Sequence, residues 1–210
     1  CIRDSNYTTA DDAPDLKVFA REIVAAVKQA CDEHGIEVPT LAFEPGRAIA
    51  GPSAVTLYQV GTIKDVRVTD GAEPAVRKYV SVDGGMSDNA RPALYEAEYS
   101  TRIASRVSTA EPALVRVVGK HCESGDIVVR HDYLPADVTN GDIIAVAATG
   151  AYCYSLASNY NFLTRPPVVA VRNGKARLVL RGETEADLFS RDLRYQSTHA
   201  SVANNDKDQE

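Results

Sequence analysis

A run of short segments rich in β-branched and aromatic residues, separated by glycine-containing turns, most limits what this chain can fold into. Val55 to Val60, Thr62 to Val68, Tyr79 to Val82 and Tyr99 to Val107 begin the run. Ala113 to Val118, Ile127 to Val129, Ile143 to Ala147 and Val168 to Val171 continue it. Asp70-Gly71, Asp83-Gly84-Gly85, Ser124-Gly125 and Asn140-Gly141 fall between them as turns. Asn173-Gly174 separates Val168–Arg172 from Ala176–Leu180, the pattern of a two-residue hairpin. Side chains branched at Cβ pack well on a pleated surface, so this region reads as mostly antiparallel β, a barrel or a sandwich. Two helical pieces interrupt it, Ala151 to Tyr160 and Thr184 to Phe189.

The amino-terminal part has another texture. Leu16, Phe19, Ile23, Val27, Ala30 and Cys31 recur at three- and four-residue steps, one apolar stripe of a helix. Asp11 or Asp12 suits its cap, Pro14 its first turn and Gly35 its left-handed end. Val38 to Phe43 then reads as a short buried strand running into Glu44-Pro45-Gly46-Arg47. Helix, loop, apolar strand and glycine loop form the rhythm of an α/β barrel or a doubly wound sheet, where function gathers at strand ends. The expected organisation is an irregular start over residues 1–10, the end of an α/β barrel over 11–50, a β-rich domain over 51–192 and a disordered polar tail over 193–210. The fold class is α+β.

Several functions find no support. A net charge of −6 gives no electrostatic basis for binding nucleic acid or an anionic membrane. No apolar run approaches the roughly 18 residues that span a bilayer, and no signal-peptide pattern opens the chain. Cys1, Cys31, Cys122 and Cys153 lie far apart without C-x-x-C spacing, which argues against a disulfide framework or zinc site and for a reducing, cytoplasmic setting. The sequon Asn6-Tyr7-Thr8 is read as chance. Phosphate-loop, dinucleotide, serine-elbow and paired-histidine metal motifs are absent; His34 reads as a solvated helix-end residue.

Four polar clusters remain. Glu44-Pro45-Gly46-Arg47 sits at a strand end, where Gly46 lets backbone N–H groups approach an anion and Arg47 can clamp a carboxylate or phosphate. A plain turn with a surface ion pair explains it equally well. Asp83 to Tyr95 is a glycine turn followed by a polar loop, which by itself need only turn the chain. His121-Cys122-Glu123-Ser124-Gly125 places a thiol in a polar loop, where a structural cysteine has little reason to be. In Gly150-Ala151-Tyr152-Cys153-Tyr154-Ser155 the aromatics and Cys153 read as core.

Taken in order, these clusters resemble a known family. The stretches EPGRAIAGP, YVSVDGGMSDNARPALY, VVGKHCESGDIVV, GDIIAVAATGAYCYSLASNYN and RPPVVAV are similar to diaminopimelate decarboxylases, fold-type III enzymes that use pyridoxal 5′-phosphate (PLP). The resemblance covers about Asp11 to Asp192. It implies a cytoplasmic homodimer with shared active sites that converts meso-diaminopimelate to L-lysine and CO₂. It implies an α/β barrel carrying PLP and a β-rich carboxy-terminal domain, of which this chain holds the carboxy-terminal portion. Glu44, Pro45, Gly46 and Arg47 would then hold the cofactor phosphate, with Arg47 also reaching the substrate. Arg91 and Tyr95 would hold the substrate's distal carboxylate. Cys122, as proton donor, and Glu123, as receptor of the distal ammonium, would enter the partner subunit's site, and Tyr152 would touch cofactor and substrate. Ornithine-type relatives carry aspartate in the place of Glu123, which favours diaminopimelate.

Two features depart from that pattern. The family's Schiff-base lysine has no counterpart among Lys17, Lys28, Lys64, Lys78, Lys120, Lys175 and Lys207, nor is the family's catalytic histidine present. The stretch Cys1 to Tyr7 holds no glycine where the family has a phosphate-binding glycine cluster. This chain alone is therefore expected to be inactive without an amino-terminal half, and an unpaired strand edge predicts dimers or larger assemblies. A non-catalytic dimerising domain and a decarboxylase of ornithine or arginine type are the alternatives.

Overall fold

The computed structural model describes residues 8, 15–69 and 75–195. The chain divides into two compact units, Cys1–Ser155 and Leu156–Glu210. The expected irregular start, the Asp70-Gly71 turn and most of the expected polar tail lie outside the described residues.

The first unit opens with helix α1, Leu16–His34. Its cap is Asp15, whose carboxylate accepts from the Lys17 N–H at 2.8 Å, so the helix begins later than Asp11 or Asp12 would have set it. Those residues and Pro14 are outside the described part. Gly35 ends α1 in the left-handed region at φ 61°, and the Ile36 N–H reaches back to the Cys31 carbonyl at 3.0 Å, as expected of a glycine-terminated helix. Of the apolar stripe only Cys31 is buried.

The strand expected over Val38–Phe43 does not form. A strand exists by pairing, and among the described residues no neighbour supplies a ladder to this stretch, which is largely exposed. Of the expected barrel end, the helix is present and the strand is not. Helix α2, Gly46–Ala50, follows and continues into a 3-10 turn over Gly51–Ser53.

The β region folds largely as read, with three amendments, the first being that the strand expected over Tyr99–Val107 is only Thr101–Ile103. β1 (Thr56–Val68) is one strand where the sequence suggested two, its pairing with β2 (Ala75–Val82) shifting between Val60 and Ile63 around Gly61. Short helix α3 (Arg91–Tyr95) precedes β3 (Thr101–Ile103), β4 (Pro112–Val118), β5 (Ile127–Pro135) and β6 (Ile143–Val146). The sheet order is β3-β6-β1-β2-β4-β5. The sheet is mixed, because β2 and β4 run parallel while its other neighbours are antiparallel. Parallel strands need a crossover, and the chain between β2 and β4 supplies it with α3 and β3. The sheet also curls: the Thr101 N–H on one edge strand donates to Asp132 on the other at 2.6 Å.

Alternation along these strands builds one core. Val60 and Tyr58 on β1, Val80 and Val82 on β2, Val115 and Val117 on β4, and Ile144 and Val146 on β6 are buried, joined by Tyr99, Leu134 and Cys153. Each buried valine removes enough apolar surface to contribute about 1.5–3 kcal/mol of gross stabilisation. Arg106 binds both Asp142 and Asp137 through side-chain hydrogen bonds of 2.8–2.9 Å, tying the chain after β3 to the turn before β6.

Ala151–Tyr160 is not the expected helix but a set of turns, with 3-10 turns at Tyr154–Leu156 and Tyr160–Phe162. Tyr152, Asn161 and Phe162 have φ values of 65°, 56° and 58°, outside any right-handed helix. The second unit holds the hairpin β7 (Val168–Arg172) and β8 (Lys175–Leu180). Its turn residues Asn173 and Gly174 both take positive φ, as the two-residue hairpin requires. Helix α4 (Glu185–Leu188) begins at a Thr184–Asp187 capping box, and Arg181 grips Asp187 from the side. Among the described residues no helix is long and apolar enough to cross a membrane.

Candidate functional site

Because β2 and β4 are parallel neighbours, the loops that leave them emerge at the same end of the sheet. One carries residues 83–90 into α3; the other carries residues 119–126 into β5. The first loop is pinned from below. Tyr58 donates to one oxygen of Asp88 at 2.5 Å and the Gly85 N–H donates to the other at 2.9 Å. Burial pushes the Asp88 carboxyl above its usual value, and burial with the facing Asp88 pushes the Tyr58 hydroxyl well up.

The loop delivers Asn89, 1% exposed, to the foot of α3. Its side-chain oxygen accepts from the Arg91 N–H at 3.3 Å and from the Cys153 thiol at 3.5 Å. Cys153 also lies 3.6 Å from the Tyr99 hydroxyl, and burial raises its thiol pKa. Cys153 is thus the core residue the sequence implied.

Above this polar floor sits the half-buried Arg91. Its guanidinium carbon lies 5.5 Å from the centre of the Tyr95 ring and 5.2 Å from that of Tyr152. Both rings are exposed, so an arginine flanked by two aromatic faces opens to solvent. Tyr152 reaches this place with a left-handed backbone, an arrangement rare for a tyrosine and costing about 1–3 kcal/mol.

The helical turn that carries Arg47 meets this region through its far end. That turn continues into Gly51–Ser53, and the Gly51 carbonyl accepts from the Gly150 N–H at 3.0 Å. A side chain on Gly150 would collide with the Ala50 carbonyl, so only glycine allows this contact. Glu44, Pro45 and Gly46 are exposed at the start of α2, and no side chain caps that turn. Space around the Gly46 Cα is open.

Cys122 and Glu123 stand exposed at the tip of the second loop. Asp126, 3% exposed, anchors that loop: one carboxylate oxygen accepts from the Met86 N–H at 2.6 Å and the other from the His121 N–H at 2.7 Å. His121 Nδ1 is 2.8 Å from the second oxygen and carries a proton there, since a carboxylate only accepts. The quoted motifs contain Asp126, Asp88 and Asn89 without marking a role for them, and Tyr58 lies outside those motifs. An aspartate directly after a polar loop of one small domain was the available signal for Asp126.

The structure therefore assembles Arg91, Tyr95 and Tyr152 into one stack, brings the Arg47 turn against Gly150, and ties the Cys122–Glu123 loop to the loop that leads to Arg91. A separate concavity of about 430 Å³ lies in the second unit among Phe162, Leu188, Phe189 and Leu193, and holds none of these residues.

A mixed sheet whose strand-end loops present an arginine flanked by two aromatic faces, and an exposed thiol beside a carboxylate, marks that end of the sheet as the candidate site. A family model described as the C-terminal sheet domain of pyridoxal-dependent decarboxylases matches residues 22–150, and the chain belongs to that family. It is 56% identical over 189 residues to a diaminopimelate decarboxylase of Mycobacterium tuberculosis, covering 90% of this chain and 42% of that protein. With one of Bacillus subtilis it shares 44% identity over 191 residues, 91% of this chain and 42% of the relative. A crystal structure of diaminopimelate decarboxylase from M. jannaschii in complex with L-lysine superposes with a TM-score of 0.75 at 33% identity, over 89% of this chain and 40% of that one. The chain spans about two fifths of the length of these relatives.

Proposed function

We propose that the complete protein is a cytoplasmic, PLP-dependent decarboxylase that converts meso-diaminopimelate to L-lysine and CO₂. The observation that carries this reading is the Arg91 guanidinium held between Tyr95 and Tyr152 on the strand-end face that also bears the Cys122–Glu123 loop. In this reading residues 11–50 belong to the barrel of the complete protein and 51–192 to its sheet domain, with the tail over 193–210. The free thiols of Cys31, Cys122 and Cys153 fit a reducing compartment.

The residues present suit the cofactor on one side. Gly46 leaves open space at an uncapped helix start, where a phosphate takes backbone N–H groups, and Arg47 adds a fixed positive charge. Glu44 and Pro45 set the approach to that turn, and the exposed ring of Tyr152 offers an edge for the cofactor. Bound PLP supplies the electron sink that makes loss of CO₂ possible. The lysine that would carry it is proposed to lie in the part of the protein that this chain does not span.

The chain's own residues do the recognition. Arg91 pairs with the distal carboxylate through two parallel N–H donors, and Tyr95 closes over it. Glu123 receives the distal ammonium, so the two groups together select a substrate charged at both ends. Cys122 Sγ delivers a proton to the carbon that has lost CO₂. Cys122 and Glu123 are exposed on a firmly anchored loop, which supports their reaching into the site of a second copy in a homodimer.

Mixing variants of the complete protein tests the shared site. Cys122→Ala and Arg91→Ala homodimers are each expected to be slow. After subunit exchange, hybrid dimers hold one intact site, and activity returns to about a quarter of the wild-type value by random pairing. No recovery in exchanged dimers would place Cys122 and Arg91 in the same subunit's site.

A further inference from the structure

We infer that Asp126 is a positioning residue, whose buried carboxylate fixes the Cys122–Glu123 loop against the loop leading into Arg91. This rests on the roles proposed for Cys122 and Glu123 and adds to them a residue that reaches neither substrate nor cofactor.

The geometry converges on a single side chain. Through its backbone N–H, Asp126 donates to the Glu123 carbonyl at 3.0 Å, closing the turn on one side of Cys122. Through one carboxylate oxygen it accepts from the His121 N–H and faces His121 Nδ1, closing the other side. Both neighbours of Cys122 are thereby tied to one residue. The second carboxylate oxygen crosses to the Met86 N–H in the loop after β2, and a backbone bond of 2.9 Å from the Lys120 N–H to the Gly84 carbonyl runs beside it.

The packing around Asp126 is built for this contact. A Cβ on Gly119 would run into the carboxylate, and one on Gly85 would meet both the carboxylate and the His121 ring. Glycine at both positions lets the two loops close onto a buried acid, whose charge needs partners there. Here both carboxylate oxygens are engaged, facing three nitrogens of the two loops. A rigid loop matters because a misplacement of about 1 Å at a reacting group can cost on the order of a hundredfold in rate.

Asp126→Asn in the complete enzyme is the test. An amide accepts on one side only, so it must give up either Met86 or His121. Two readouts are taken on protein whose thermal unfolding matches wild type: turnover of meso-diaminopimelate, and the rate of Cys122 alkylation by iodoacetamide followed by peptide mass. The expected result is a kcat lower by about tenfold or more, faster alkylation of Cys122, and no further loss when Asp126→Asn is added to Cys122→Ala. A folded Asp126→Asn enzyme with wild-type alkylation, or an undiminished loss in the Cys122→Ala background, overturns the inference. Should wild type not decarboxylate the substrate at all, the proposed function fails instead, and the alkylation rate alone still decides the role of Asp126. If Asp126→Asn does not fold, Gly119→Ala, which pushes the carboxylate out of place, is expected to speed alkylation; an unchanged rate overturns the inference.

Discussion

The guanidinium carbon of Arg91 lies 5.2 Å from the centre of the Tyr152 ring, and Tyr152 takes a φ of 65° to reach that place. Left-handed backbone at a bulky residue is held by its surroundings, here by the buried Cys153 that follows and its bond to Asn89 beneath Arg91. The ring and the arginine are thus aimed by the same polar floor.

Stability and binding should separate at Tyr152. Tyr152→Gly relieves the left-handed backbone and should leave thermal stability equal or higher, while the Michaelis constant for substrate rises. Tyr152→Phe keeps the ring over Arg91 and should bind nearly as wild type. A melting curve and steady-state kinetics on both variants check this; tighter binding by Tyr152→Gly would contradict it.

Arg91→Lys keeps the charge but loses the planar, two-donor head. It is expected to weaken meso-diaminopimelate by about 1–3 kcal/mol, some tenfold or more in kcat/KM. Competition with a diamine acid lacking the distal carboxylate should be little changed in strength.

Acid should loosen the turn before β6. Hydrogen bonds from Arg106 hold the Asp142 carboxyl below its usual 3.8, and Asp137 is lowered by the same partner. A carboxyl whose pKa is depressed on folding adds stability above its unfolded value and loses it as pH falls through the folded one. Stability therefore drops below about pH 4 from this source, and Arg106→Ala should flatten that limb of the stability curve. Asp88, raised by burial, acts in the opposite sense, so the contrast is read between wild type and Arg106→Ala.

Val115 has no exposed surface and sits where β4 meets both β2 and β5. Val115→Ala removes apolar contact and leaves a small cavity, costing about 2 kcal/mol. Thermal unfolding of the chain should show a midpoint several degrees lower.

Most of the sheet was legible in the sequence because its strands alternate and its turns carry residues that positive φ demands, as at Asn173-Gly174. Val38–Phe43 misled because apolar character marks burial, whereas a strand needs a partner, and none is present among the described residues. Ala151–Tyr160 looked helical by composition, yet the backbone sign at Tyr152 is set by tertiary contacts that no local pattern encodes. The motifs named Arg91, Cys122, Glu123 and Tyr152, which touch solvent. They contained Asp126 and Asn89 without marking a role, because the groups these two residues hold reach them only in the folded chain.

Turnover of meso-diaminopimelate by the complete protein in the presence of PLP is the most direct measurement. Stoichiometric L-lysine and CO₂, with ornithine and arginine turned over far more slowly, is the predicted result. Faster release of CO₂ from ornithine or arginine, or none from any of the three, would contradict it.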